Sequence, residues 1–178
     1  MLSKIFCCFA KKSEPVHKAM YSVCVDTPPI TLFDTKPVYE MVGWNDTIQF
    51  VPPISGGIVI KVYDGDTITI ASRLPYADSP LYRFSVRLNG IDCPEMKSRD
   101  DNEKECAVLA KKAVSDLVMN KTIILKNVQT EKYGRLLADV YINDLHLNAY
   151  LIEKRLAVKY DGGTKVVPTN WMEYHLKG

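Results

Sequence analysis

Apolar positions along this chain change period several times, and each change marks an element. Residues 57–63 and 67–70 are β-branched runs, Gly-Ile-Val-Ile-Lys-Val-Tyr and Thr-Ile-Thr-Ile, separated by Asp64-Gly65-Asp66. Runs of this kind on either side of Asp-Gly predict two strands joined at a tight turn. Residues 81–88 alternate, with Arg83, Ser85 and Arg87 on one face and Phe84, Val86 and Leu88 on the other, which predicts a third strand. Over 103–119 the spacing lengthens. Cys106, Leu109, Ala110, Ala113 and Leu117 fall on one side, and Lys104, Lys111, Lys112 and Asp116 on the other. That is the pattern of an amphipathic helix, with Asn120 as its expected C-cap. Residues 122–128 and 135–142 return to strand character. Residues 147–153 read as a second helix beyond the Asn143-Asp144 turn, and 169–176 as a short last helix capped by Thr169 or Asn170.

Three strands, a helix, two strands and a helix describe a mainly β fold with helices, of the α+β class. The order suits a five-stranded OB-type barrel with a helix between strands 3 and 4 and one or two C-terminal helices. A sandwich would need more strands. Before this region, residues 1–54 hold Pro15, Pro28-Pro29, Pro37 and Pro52-Pro53 and keep no sustained period, so they are expected to be an extended N-terminal extension. Within it, residues 41–51 carry Trp44, Ile48 and Phe50 and suit either a strand or strap against the domain or a solvated linker. The expected organisation is an extension over 1–54, a barrel domain over 55–165, and a tail or short helix over 166–178.

Composition narrows the picture only a little. Hydrophobic residues at 47% and charged residues at 25% are those of a globular protein. Lys and Arg number 23 against 21 Asp and Glu, so any anion binding must be local rather than a property of the net charge. The five cysteines, Cys7, Cys8, Cys24, Cys93 and Cys106, include no CxxC pair, which argues against a disulfide framework or a structural zinc and for a reducing, intracellular compartment. The apolar stretch 5–10 is too short to span a membrane and marginal as a signal-peptide core. Cys7-Cys8, with Lys4, Lys11 and Lys12 around them, form either a candidate S-acylation site giving membrane association or an unmodified tip; Leu2 stands where N-myristoylation needs glycine. His17, His146 and His175 fall in no constellation. The chain has no GxSxG, HExxH, P-loop or GxGxxG motif, which removes support for serine hydrolase, zinc protease and nucleotide-fold readings.

Three short segments carry candidate chemistry: Asp64-Gly65-Asp66-Thr67, the stretch from Arg87 to Glu95, and Glu131-Lys132-Tyr133-Gly134-Arg135. Asp66 leaves a turn and Asp92 follows the third strand, where backbone geometry can hold carboxylates outward for a hard cation such as Ca2+. An EF-hand is excluded, because Ile68 and Thr69 stand where that loop needs an oxygen ligand and a glycine. Arg87 and Arg135 offer planar paired donors that match a phosphate, and Glu95 is a candidate to orient or deprotonate water. Each piece alone has an ordinary reading: a hairpin turn, a solvated strand arginine, a surface glutamate.

Taken together, strand-DGDT-strand, then Arg-x4-Asp-Cys-Pro-Glu, then Lys-Tyr-Gly-Arg before the last strand closely resemble the staphylococcal nuclease family, over about residues 57–160. The resemblance implies a calcium-dependent nuclease acting on DNA or RNA, a monomer, leaving 3′-phosphate ends. It implies that Asp66 and Asp92 bind Ca2+ with the backbone carbonyl of Cys93, where the bacterial enzyme is expected to have threonine. It makes Arg87 and Arg135 phosphate-binding and Glu95 the general base or water-positioner. Lys132 and Tyr133 would meet the terminal phosphate or base, and Tyr160 would stack on the nucleotide. Thr67 would reach the metal through water, while Asp64 shapes and supports the turn. Residues 96–105 depart from the lysine-rich loop of the bacterial enzyme, and the extension has no counterpart in the motif. The competing class is a non-catalytic OB-type module that binds nucleic acid or protein.

Overall fold

The computed structural model describes residues 42–177. The chain divides into two units, Met1–Asp46 and Thr47–Gly178. Of the first, the described part holds a 3-10 turn at Trp44–Asp46, whose Asp46 carboxylate accepts the Gly43 amide at 2.8 Å. Cys7, Cys8 and Cys24, and with them the acylation question, lie outside the described residues. Among the described residues no helix is long and apolar enough to cross a membrane.

In the second unit β1 (Gly56–Val62) and β2 (Thr67–Ser72) pair antiparallel around the Asp-Gly-Asp turn, with a register shift between Val59 and Lys61. β3 (Tyr82–Leu88) pairs antiparallel with β2 and sets Thr67 opposite Arg87. Ile91–Asp92 forms a two-residue β4. The helix α1 (Asp101–Val118) follows, then β5 (Thr122–Thr130) and β6 (Leu136–Ile142), which pair antiparallel with each other. β5 also pairs with β1, and β6 runs parallel to β3 with Val86 opposite Leu136 and Arg87 opposite Leu137. That parallel pairing closes a five-stranded mixed barrel, so the expected OB-type α+β fold is present. Inside it Val59, Ile68, Ile70, Val86, Leu88 and Val140 are fully buried, each contributing about 1.5–3 kcal/mol of transfer free energy.

Three details differ from the sequence-based expectation. First, α1 begins two residues early, because Asp100 caps it by accepting the Asn102 amide at 3.0 Å. Secondly, its buried stripe is Cys106, Ala107, Ala110, Val114 and Val118, while Leu109 is exposed. Of the expected stripe, Cys106 and Ala110 are buried and Ala113 and Leu117 pack against the core, and a small side chain at 110 suits the close approach of the 64–66 turn. A Cβ on Gly65 would lie 2.8 Å from the Ala110 Cβ and 2.9 Å from the Cys93 Sγ. Thirdly, the C-cap is Met119, and Asn120 is the next residue, in the left-handed region with φ 59°.

Beyond β6, β7 (Leu145–His146) leads into α2 (Leu147–Glu153). From α2, the buried Asn148 reaches back into the sheet: its Oδ1 accepts the Val140 amide at 3.0 Å, and its Nδ2 donates to the Asn89 carbonyl at 2.8 Å and the Ala138 carbonyl at 3.3 Å. β8 (Val158–Lys159) pairs antiparallel with β4. Then α3 (Trp171–Leu176), capped by the Asn170 side chain on the Glu173 amide, packs on α1 and buries Trp171. Residues 47–55 form no strand. They run as an irregular strap with Ile48 and Phe50 exposed and Ile54 buried, tied by the Leu125 amide to the Ser55 carbonyl at 2.8 Å and by the Thr130 hydroxyl to the Phe50 carbonyl at 3.1 Å.

Candidate active site

The turn between β1 and β2 is held by its own first residue: Asp64 Oδ1 accepts the Asp66 amide at 3.3 Å, an Asx-type arrangement. Asp66 is thereby turned inward, where its Oδ1 accepts the Thr67 hydroxyl at 2.9 Å and its Oδ2 the Cys93 amide at 3.3 Å. Register does the rest. Because Thr67 lies opposite Arg87, the guanidinium meets the turn, and because β4 starts just beyond β3, it meets Asp92 as well. Arg87 Nη1 sits 2.7 Å from Asp66 Oδ2, and Nη2 sits 2.8 Å from Asp92 Oδ1.

Both carboxylates are almost fully buried, at 4% and 3% exposure. Removing an isolated carboxylate from water costs several kcal/mol, so the pair depends on the shared guanidinium and on amide donors. Burial alone would lower the Arg87 pKa, but Asp66 and Asp92 hold it above its usual range. Burial, with the Asp66 charge alongside, pushes Asp64 up to about 6. Cys93 lies between these acids with its thiol raised well above the ordinary cysteine range, first by burial and then by the charges of Asp66, Asp64 and Asp92.

A cavity of about 1280 Å³ opens beside this cluster. Its walls bring together Asp64, Asp66, Arg87, Cys93 and Glu95 from the first two motifs, Lys132, Tyr133 and Arg135 from the third, and Tyr160. Asp92 joins through Arg87, and Thr67 stands behind Asp66 rather than in the wall. The third motif is a loop between β5 and β6 closed by the Glu131 amide on the Arg135 carbonyl and the Gly134 amide on the Glu131 carbonyl, each at 2.9 Å. Gly134 has φ 80°, which glycine adopts without strain. The loop exposes Tyr133, with the Lys132 ammonium 5.0 Å from its ring centre, and pairs Arg135 Nε with Glu131.

Sequence reasoning singled out neither Tyr63, His146 nor Lys165, which line the same cavity. His146 stacks on Tyr141 with ring centres 4.5 Å apart, and its buried Nε2 has no hydrogen-bond partner among the described residues. Lys165 Nζ lies 2.9 Å from Asp92 Oδ1 and 3.4 Å from Glu95 Oε1. Burial would lower that ammonium, but Asp92 and Glu95 hold it above the usual lysine range. Lys165 stands in the segment 160–170, which has neither helix nor strand and no apolar period to draw attention to it.

For a metal, the donors on offer are hard oxygens: two buried carboxylates joined across one guanidinium, with the peptide units of residues 91–93 beside them. Among the described residues no group of three or more His, Cys, Asp or Glu side chains is arranged to hold a metal ion. Backbone oxygens and water would have to complete a ligand set, which suits a hard cation that takes six to eight oxygens and does not suit zinc.

The fold and the site together define a small OB-type barrel with two buried acids, an arginine across them and a cavity lined by acidic, basic and tyrosine side chains. Residues 85–171 match the family model described as staphylococcal nuclease homologue, and this part of the chain is a staphylococcal-nuclease-like domain. The match contains Arg87, Asp92, Cys93, Glu95, Arg135 and Lys165 and begins after Asp64-Gly65-Asp66-Thr67. The chain is 33% identical over 102 residues to a Haemophilus influenzae protein named uncharacterized endonuclease, covering 57% of this chain and 51% of that one. It is 28% identical over 106 residues to an Escherichia coli protein of the same name, covering 59% of this chain and 61% of that one. The chain thus spans about half to six tenths of the length of these relatives.

Proposed function

We propose that the domain is a calcium-dependent nuclease that hydrolyses phosphodiester bonds of DNA or RNA and leaves 3′-phosphate ends. The observation that carries this reading is the meeting, beside one cavity, of Asp66 and Asp92 across Arg87, with Glu95 and Arg135 on the wall. The names of the similar proteins and the family match support the nuclease part; calcium and the product ends follow from the motif resemblance.

Asp66, Asp92 and the Cys93 carbonyl would hold the ion, whose chemistry when bound is to polarise a non-bridging phosphate oxygen. Arg87 is fixed by β3 with one guanidinium edge toward the acids. Arg135 reaches the cavity from the opposite loop, paired with Glu131, and would exchange that carboxylate for a phosphate oxygen. Together they offset the charge that gathers on phosphorus oxygens during attack. Glu95, exposed and lining the cavity, would orient or deprotonate water, while Lys132, Tyr133 and Tyr160 would offer a terminal phosphate contact and stacking surfaces.

The test is cleavage of single- and double-stranded DNA and RNA with Ca2+, Mg2+ or chelator. The expected result is Ca2+-dependent cleavage with 3′-phosphate ends, reduced at least about 100-fold in Arg87→Ala, on the order of 3 kcal/mol of barrier, and reduced also in Glu95→Gln. Full activity in both variants would break the assignments. No cleavage with either ion would leave a binding module.

A further inference from the structure

Lys165 is a lysine from an irregular segment that has entered the acidic cluster. Its Nζ shares Asp92 Oδ1 with Arg87 and also reaches Glu95 Oε1. The two cations on that oxygen are held very differently. Arg87 stands on a barrel strand and is bonded to Asp66, Asp92 and the Ile91 carbonyl. Lys165 extends from the 160–170 stretch with its side chain 43% exposed, against 4% for its partner Asp92. A lysine is a compact, strongly hydrated point charge on a flexible stem, and of the two it is the one that returns to water at low cost.

We propose that Lys165 is a built-in counter-cation that competes with a divalent ion for Asp92, so that ion binding expels its ammonium and releases the 161–166 segment from the cavity wall. This rests on Asp66 and Asp92 being the cation-binding carboxylates. Three acids, Asp66, Asp92 and Glu95, face Arg87 and Lys165. A divalent cation among them makes the ammonium at 2.9 Å from Asp92 a like charge at close range, and Coulomb repulsion favours the arrangement in which the freer cation leaves. The same contact occupies Glu95, the water-positioning candidate. Expulsion therefore frees that carboxylate and a cationic side chain at the cavity mouth in one step. Occupancy of Asp92 by Lys165 lowers the apparent affinity for the ion by the fraction of molecules in which the oxygen is available.

The experiment is calorimetric titration of the full chain with Ca2+ alone, without substrate, together with amide hydrogen exchange of residues 161–166. Lys165→Met keeps the stem and removes the charge, Lys165→Arg keeps the charge, and Lys112→Met makes the same charge change on the exposed face of α1. Expected are a Ca2+ affinity at least about fivefold tighter in Lys165→Met, the size of a half-exposed ion pair, and wild-type affinity in the other two. Faster exchange at 161–166 on Ca2+ addition is expected in the wild type and absent in Lys165→Met. Unchanged or weaker affinity in Lys165→Met, with Ca2+ binding in the wild type that Asp92→Asn abolishes, overturns the competition and keeps the cation site. No Ca2+ binding in wild type or Lys165→Met overturns both.

Discussion

Single residues set the packing of α1 and of the turn beside the site, and two of them do so by being small or neutral. Gly65 lets the first turn touch α1, since a Cβ there would strike Ala110 and Cys93. Gly65→Ala is expected to destabilise the domain by about 1–3 kcal/mol, the usual range for overpacking, seen as a lower urea midpoint at unchanged slope. Cys106, buried in α1, has its thiol pushed up to about 11, first by burial and then by Glu103 and Glu105. A raised pKa means that the native state holds its proton more tightly than the unfolded state. The stability this contributes is complete below about pH 9 and is lost as pH rises through about 11. Urea midpoints measured from pH 8 to 11 should therefore fall more steeply in the wild type than in Cys106→Ala; parallel curves would refute the attribution. Neither effect could be read from the residue alone. Gly65 looks like any Asp-Gly turn glycine, and the environment of Cys106 depends on which face of α1 meets the barrel.

Elements with long, regular runs were legible, and those defined by a partner were not. The β-branched runs and the alternating 81–88 stretch identified β1, β2 and β3, and the 147–153 pattern coincides with α2. β4 and β8 are two residues each, too short to show a period, and exist because they pair. The expected stripe of α1 meets the core at Cys106, Ala110, Ala113 and Leu117 and misses only at Leu109, while Ala107, Val114 and Val118 widen the buried face. At the site, the three motifs were visible as words, but their meeting point is set by cross-strand register, which local sequence does not encode. Lys165, in a stretch with no pattern, left no signal at all. The clamp from α2 belongs to this scale too. Asn148 satisfies one amide and two carbonyls of the strands beside the site. Asn148→Leu removes the side-chain partner of the Val140 amide and the Asn89 carbonyl, while the Ala138 carbonyl keeps the Asn89 amide at 2.8 Å, and is expected to cost about 1–3 kcal/mol, with faster exchange of the Val140 amide as its local signature.

At the level of the whole domain, the C-terminal helix is part of the core rather than an appendage. Trp171 is 2% exposed and Trp44 is 91% exposed, and these are the two tryptophans of the chain. Emission should therefore contain a blue-shifted component that Trp171→Phe removes, while Trp171→Ala should cost about 3–5 kcal/mol through the void it leaves between α1 and α3. An unshifted spectrum in Trp171→Phe would contradict the packing. Closure of the barrel has a different kind of consequence. Arg87 finds Leu137 across the parallel β3–β6 pairing, so two strands separated by a helix and a hairpin must meet before the guanidinium has its neighbours on every side. Long loops close late, since their entropy is lost before the contact is gained. During refolding, helical signal from α1 should rise first, and the acidic cluster should assemble with the slowest phase. A chain emerging progressively during synthesis would thus close its barrel only after β6 has been made, and complete the cavity wall only once residues 158–165 follow.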